Sequence, residues 1–356
     1  MRTAVFALTA QGTLAARRVC LALGTEADLF VSKRHPLAGA SCFEKLQTAV
    51  AENFSRYEAL VFIMAAGIVV RTLAPYLKSK LEDPAVLVLD ERTEYVISLL
   101  SGHVGGANDL ARRLAMALDA EAVITTATDV EGIPAPDALA GRLGLFPEPH
   151  EEIRIINSAL LEGRIPSYYI DPACPLTAFY EQELRRQGIL PEDISLAEQR
   201  EENLQVIISG EEKWRRRTGR LFLRPLRLIA GLGCRKNTTA AEIQKALTEA
   251  VQRIGLPLQA VTAIASTVFK EREQGLQETA AKLGLPLLFY DNDALNTIIY
   301  RYGLQKSAFV QKTIGVGNVC EAAALAAAGS GRLALGKTRF EKVTVALVWQ
   351  KKQKSR

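Results

Sequence analysis

With 356 residues, 48% hydrophobic and 23% charged, the chain is neither disordered nor fibrous, and it exceeds the ~250–300 residues at which a single core stops growing. Its 44 Lys and Arg are scattered among 39 Asp and Glu, a formal charge of +5 with no basic tract, which argues against nucleic acid as partner and leaves room for a local anion site. No run approaches the ~18 apolar residues of a membrane span, and Gln11 and Gly12 interrupt the opening MRTAVFALTA, so a cytoplasmic chain with no membrane partner is expected.

From the first residues onward, strand and helix periods alternate. Ala4–Leu8 reads as a strand and Leu14–Leu23 as a helix with Arg17 and Arg18 outward. Asp28–Ser32 is extended and Phe43–Phe54 helical. ALVFIM (59–64) is a fully apolar strand that runs through Ala65-Ala66-Gly67 into a helix ending near Leu77. AVLVLD (85–90), YVISLL (95–100) and EAVITTATD (121–129) read as further strands. The pattern predicts an N-terminal α/β domain over residues 1–130, with a parallel or mixed sheet and ligand crevices at the strand carboxyl ends.

Residues 131–224 change character. GIPAPD opens the stretch, Pro166, Pro172, Pro175 and Pro191 punctuate it, and EQELRRQG and EEKWRRR carry dense mixed charge. IPSYYID (165–171) and LQVIIS (204–209) are its strand candidates, and a small, irregular middle domain is expected. Alternation returns over 225–356, a C-terminal α/β domain. LRLIAGLG is a strand, Thr239–Gly255 a helix, AVTAIAST (260–267) a strand, QETAAKLG a helix, PLLFYD a strand, VCEAAALAAAG a helix and KVTVALVW (342–349) a strand.

Cys20, Cys42, Cys174, Cys234 and Cys320 lie far apart, with no CxxC pair and no histidine nearby, so reduced thiols and no protein metal site are expected. GRLALGKT (331–338) fits a phosphate-loop pattern, but a helix precedes it and a strand follows, the inverse of what phosphate binding needs. GLGCRKNTTAAEI (231–243) offers Arg235 and Lys236 in a turn before a helix capped by Thr238 or Thr239 with Glu242. Gly67 with Arg71, and Gly315 with Gly317, repeat that logic of bare backbone at a helix start. TTATDVEGIP supplies Thr126, Asp129 and Glu131 after a strand.

His103 is one of three histidines, and SLLSGHVGGAND places it in a glycine turn between a strand and a helix. Gly102, Gly105 and Gly106 leave its imidazole and the nearby N–H groups uncovered, which suits a proton carrier near neutral pH. These turns together suggest an extended anion site, shared between domains, that includes Asn108 at the helix start.

Taken in order, VFIMAAGIVVRTLAPYLKSKLEDPAVLVLDE, LLSGHVGGANDLARRLA, VITTATDVEGIPAPD, GLGCRKNTTAAEI and FVQKTIGVGNVCEAAALAAAG resemble the cobalt-precorrin-5A hydrolase family of anaerobic cobalamin biosynthesis. The resemblance implies a three-part chain that opens the δ-lactone of cobalt-precorrin-5A, an anionic cobalt corrinoid, releasing acetaldehyde and giving cobalt-precorrin-5B. It implies no cofactor, since cobalt arrives within the substrate, and it suggests neighbouring cobalamin-pathway enzymes as partners. On that chemistry His103 is expected as the proton carrier or, second, an axial cobalt ligand, with Asp129 or Glu131 orienting it or the water. N–H groups around Gly105 and Gly106 are expected to stabilise the oxyanion, and Arg71, Arg235 and Lys236 to hold the peripheral carboxylates. Two rivals are a non-catalytic corrinoid carrier and a nucleotide-dependent enzyme using Lys337.

Overall fold

A computed structural model describes residues 1–24, 27–80, 82–200, 204–214, 218–329 and 331–350; residues 215–217 of the charged EEKWRRR run lie outside them. Among the described residues three sheets form, each with its own core. No helix among them is long and apolar enough to cross a membrane.

The first unit contains β1 (Thr3–Ala7), α1 (Ala10–Leu23), β2 (Ala27–Ser32), β3 (Ser41–Phe43), α2 (Leu46–Asn53), β4 (Ala59–Ile63), α3 (Ala66–Leu73), β5 (Ala85–Leu89), β6 (Tyr95–Leu100), α4 (Ala107–Leu118), β7 (Glu121–Val123) and α5 (Ala127–Val130). Its sheet runs β3-β2-β1-β4-β5-β6-β7. β1, β4 and β5 are buried along their whole length, which is why they read as unbroken apolar runs: helices cover both faces. Ala16, Val19, Leu110 and Leu114 pack on one face, and Val50, Val69 and Leu73 on the other.

One connection sets the geometry of this unit. Only Asp90–Glu94 separate β5 from β6, far fewer than the dozen or so residues a parallel crossover requires, so β6 returns antiparallel. The Asp90 carboxylate closes the turn, accepting from Arg92 N at 2.7 Å and Tyr95 N at 2.8 Å. β7 then runs parallel to β6, so both strands end beside the amino ends of β1, β4 and β5.

Two expectations need correction. Phe43 ends an edge strand paired with Phe30–Ser32, too short to show a period, and the helix starts at Leu46. The run 121–129 is strand only as far as Val123; Asp129 and Val130 donate to the Thr126 carbonyl and form a helical turn.

The middle unit comprises α6 (Pro136–Leu143), β8 (Leu145–Glu148), α7 (His150–Leu161), β9 (Ser167–Ile170), α8 (Thr177–Arg186), α9 (Leu196–Gln199), β10 (Gln205–Ile208) and β11 (Arg220–Pro225), in sheet order β8-β11-β10-β9. Its prolines start helices, sit on the edge strand β8, occupy loops or, as Pro225 does, end a strand.

The third unit holds β12 (Leu228–Cys234), α10 (Ala240–Gln252), β13 (Val261–Thr267), α11 (Gln274–Leu283), β14 (Leu287–Tyr290), α12 (Asn292–Tyr302), α13 (Ala308–Ile314), α14 (Val319–Ala328), β15 (Gly331–Arg339) and β16 (Val343–Gln350). Its order is β14-β13-β12-β16-β15, and Thr239 with Glu242 forms a capping box on α10. The GRLALGKT run is β15 itself. Lys337 sits in that strand with its N–H on Glu321, so no phosphate loop exists there.

Arg2 binds the first unit to the third, donating to the carbonyls of Tyr302 at 2.5 Å and Gly303 at 2.8 Å. A cavity of about 780 Å³ lies where the three units meet. Arg2, Glu58, Pro84 and Leu226, which precede strands, and Gly331, which begins β15, line it.

Candidate functional site

The turn carrying His103 is built on close approaches. Ser101 is in the left-handed region (φ 57°), and Gly106 precedes α4 at φ 83°. A Cβ on Gly105 would fall 2.3 Å from that of Ser101, and one on Gly102 would fall 2.7 Å from Asn108 Oδ1, so only glycine permits this coil. Since β6 and β7 end at the same edge, the Thr126–Val130 turn comes to rest against it.

His103 lies between two carboxylates. Its Nε2 is 2.8 Å from Asp129 Oδ2 and its Nδ1 is 3.1 Å from Asp137 Oδ2. The imidazole side chain is 11% exposed and that of Asp137 1%. Burial opposes charge on the ring, but the hydrogen bonds and charges of Asp137 and then Asp129 outweigh it and raise the His103 pKa above its ordinary value. Burial likewise works against the ionised carboxyls. Hydrogen bonds from Arg112 and His103 hold Asp129 below the usual carboxylate range, and those from His103 and Asn157 do the same for Asp137. With a carboxylate facing each nitrogen, the arrangement suits an imidazolium that donates from both. Neither nitrogen is turned to open space, so the geometry suits the proton-carrier expectation for His103 better than the axial-ligand one.

Asn108 holds the assembly together. It is 3% exposed, accepts from Ser98 Oγ at 2.6 Å, and donates to Thr126 Oγ at 3.1 Å and Asp129 Oδ2 at 2.8 Å. Asn108 and Thr126, expected to bind substrate, thus spend these groups on positioning Asp129. Arg112 Nη2 donates to Asp129 Oδ1 at 2.6 Å. Gly106 N donates to the His103 carbonyl at 2.9 Å, which removes it as an oxyanion donor.

A hollow of about 400 Å³ opens onto His103, Asn108 and Asp129, with Arg112, Arg142 and Arg186 in its wall. Arg142 and Arg186 come from α6 and α8, so the site spans the first and middle units. Sequence reasoning missed Asp137, Arg112, Arg142 and Arg186. Asp137 stood in the quoted GIPAPD stretch, which was read only as the opening of an irregular middle domain. An acid one residue inside a Pro-initiated helix is a readable signal.

The remaining expected residues lie elsewhere. Glu131 is exposed at the end of α5 and does not line the hollow. Gly67 and Arg71 follow β4 at the carboxyl end of the sheet, the end opposite His103, because β6 runs antiparallel. Arg235 and Lys236 are exposed at the carboxyl end of β12, whereas the central cavity touches the third unit where β12 and β15 begin. Gly315 closes α13, and Gly317 is buried against Lys306. Arg71, Arg235 and Gly105 therefore do not share one hollow; Gly105 alone of the three lines the central cavity.

The fold and site define a three-unit α/β protein with a charged acid–base centre ringed by arginines. Comparison with known proteins gives the family. Residues 48–129 match the family described as Cobalamin synthesis G N-terminal, and residues 228–348 match Cobalamin synthesis G C-terminus. The chain is 34% identical over 353 residues to the cobalt-precorrin-5A hydrolase of Salmonella typhimurium, covering 97% of this chain and 96% of that one. It is 32% identical over 299 residues to the cobalt-precorrin-5A hydrolase of Priestia megaterium, covering 83% and 79%. A crystal structure of a cobalamin biosynthesis protein G homologue from Sulfolobus solfataricus shares the fold, with a TM-score of 0.61 and 23% identity over 98% of this chain and 97% of that one. The chain belongs to the cobalt-precorrin-5A hydrolase family and is an enzyme of cobalamin biosynthesis.

Proposed function

We propose that the chain hydrolyses cobalt-precorrin-5A, opening its δ-lactone and releasing acetaldehyde to give cobalt-precorrin-5B. The observation that carries the residue assignment is the His103 ring held between Asp129 and Asp137 at the edge of an arginine-lined hollow. The reaction needs one proton taken and one returned. The hydroxyl of water joins the acyl carbon, and the ring C–O bond breaks. The freed alkoxide carbon becomes the aldehyde as its C–C bond to the macrocycle breaks. The bonding pair stays with the macrocycle, which takes up a proton.

His103 supplies the acid, and Asp129, whose oxygens face His103, Asn108 and Arg112, orients the water and passes the proton. Asp137 fixes the ring from behind. Arg112, Arg142 and Arg186 meet the developing negative charge and the peripheral carboxylates. Cobalt enters as part of the substrate, and no cofactor is invoked. On this reading the enzyme works in the cytoplasm beside other corrinoid-modifying enzymes.

The test is incubation with cobalt-precorrin-5A, with acetaldehyde trapped and the product weighed by mass spectrometry. His103→Ala is expected to slow aldehyde release at least ~100-fold. A carrier would bind the corrinoid and release none, and a nucleotide-dependent enzyme would require ATP or GTP.

A further inference from the structure

The hollow at His103 holds about 400 Å³, whereas the central cavity holds about 780 Å³, near the upper end of small-molecule sites. Phe146, Leu304, Leu333 and Trp349 give that cavity an apolar wall. Arg56, Lys78 and Arg332 line it too, and among the described residues none of their side chains meets a carboxylate. Three of the four acids that line it are engaged: Glu58 accepts from Arg2 N, Asp83 from the N–H groups of Lys78 and Ser79, and Glu148 from Arg224, while Glu82 is exposed at its rim. An apolar chamber with three cations that meet no carboxylate among the described residues fits a ligand with an apolar body and carboxylates along its edge.

The cavity also borders the site. Gly102 and His103 line the hollow while Val104 and Gly105 line the cavity, so one four-residue stretch divides the two spaces. Arg332, from the motif that mimics a phosphate loop, donates to the Val104 carbonyl at 3.3 Å. The Gly105 N–H meets no acceptor among the described residues.

We infer that the central cavity, rather than the strand carboxyl ends, seats the body of the corrinoid. Arg56, Lys78 and Arg332 grip its peripheral carboxylates, and its edge crosses the glycines of the 102–105 turn toward His103. The choice of ligand rests on the proposed function; the choice of chamber rests on shape and charge.

The two can fail separately if binding is read without turnover. Cobyrinic acid, a stable cobalt corrinoid polycarboxylate that lacks the lactone, serves as the probe in equilibrium dialysis against the full chain. The triple variant Arg56→Ala, Lys78→Ala, Arg332→Ala is expected to bind it at least ~10-fold more weakly. A charge-matched variant on outward faces, Arg17→Ala, Arg18→Ala, Lys245→Ala, is expected to bind within about 2-fold of the parent. Circular dichroism melting establishes that each variant is folded. If the cavity variant melts early, Lys78→Ala with Arg56→Ala alone, both on exposed side chains, replaces it, with the same direction of effect expected.

Parent-like binding by the cavity variant overturns the inference, as does a loss produced instead by Arg71→Ala with Arg235→Ala. Acetaldehyde release by the parent enzyme, with KM unchanged in the cavity variant, overturns it while leaving the hydrolase reading intact. Binding through the cavity with no aldehyde from cobalt-precorrin-5A does the reverse.

Discussion

His103 keeps its proton because carboxylates face both of its nitrogens, and Asp137 does so from a buried position. The pKa of the ring is raised, so its contribution to stability is fully present below the ordinary 6.5 and is lost as pH rises through the higher folded value. Asp129 and Asp137 are lowered, so theirs is present above the ordinary 3.8 and is lost as pH falls through the lower folded values. The cluster is firmest between those limits. Catalysis by the imidazolium should therefore decline on an alkaline limb lying above the usual histidine range. Asp137→Asn removes a carboxylate that raises the ring pKa, and that limb should move to lower pH in kcat/KM while the acidic plateau changes less. NMR titration of the His103 ring should move with it. A limb that stays put with a uniformly lower rate would assign Asp137 to packing alone.

At the scale of elements, the strand–helix alternation was legible because β1, β4, β5, β12 and β13 are predominantly apolar and separated by helical periods. The placement of the turns was harder to read. Crevices at strand carboxyl ends were expected, and Gly67 and Arg71 do follow the carboxyl end of β4, but the five residues of Asp90–Glu94 reverse β6 and carry His103 to the other end. That spacing was in the sequence; the inference from short connection to reversal was the step not taken. The arginines of α6 and α8 were beyond reach for a different reason, since only tertiary packing brings the middle unit to the turn. Two expectations belong here. Asp90→Ala frees two backbone N–H groups of the hairpin and should cost about 1 kcal/mol of stability, seen as a lower urea midpoint. Gly105→Ala should do more to activity than to stability. The added methyl collides with Ser101 and must push the turn that holds His103, so a 10-fold or larger fall in kcat is expected from a displacement of order 1 Å.

At the scale of the whole molecule, the question is what keeps three separately cored units around one cavity. Arg2 is central to the answer. It donates to two carbonyls at the end of α12, lies 3.4 Å from Asp28, and stacks its guanidinium 4.5 Å from the Tyr57 ring centroid. Gln305 adds one bond from the third unit to Asp28 at 2.9 Å, and Arg332 adds one to Val104. Arg2→Ala leaves the Tyr302 and Gly303 carbonyls without that donor and Asp28 without its charge partner, at a cost of about 2–3 kcal/mol by the usual worth of hydrogen bonds to charged groups. Apart from the stacking on Tyr57, at the margin of the first unit's core, that loss lies outside the cores, so the effect should be a loosened junction rather than an unfolded domain. Limited proteolysis should then cut faster between the first and third units, and hydrogen exchange should rise around 302–305 while the β1 and β12 amides keep their protection. Because Arg2 also lines the central cavity, KM for the corrinoid should rise more than kcat falls. Parent-like protection at 302–305 in that variant would mean the units are held by contacts other than this clamp.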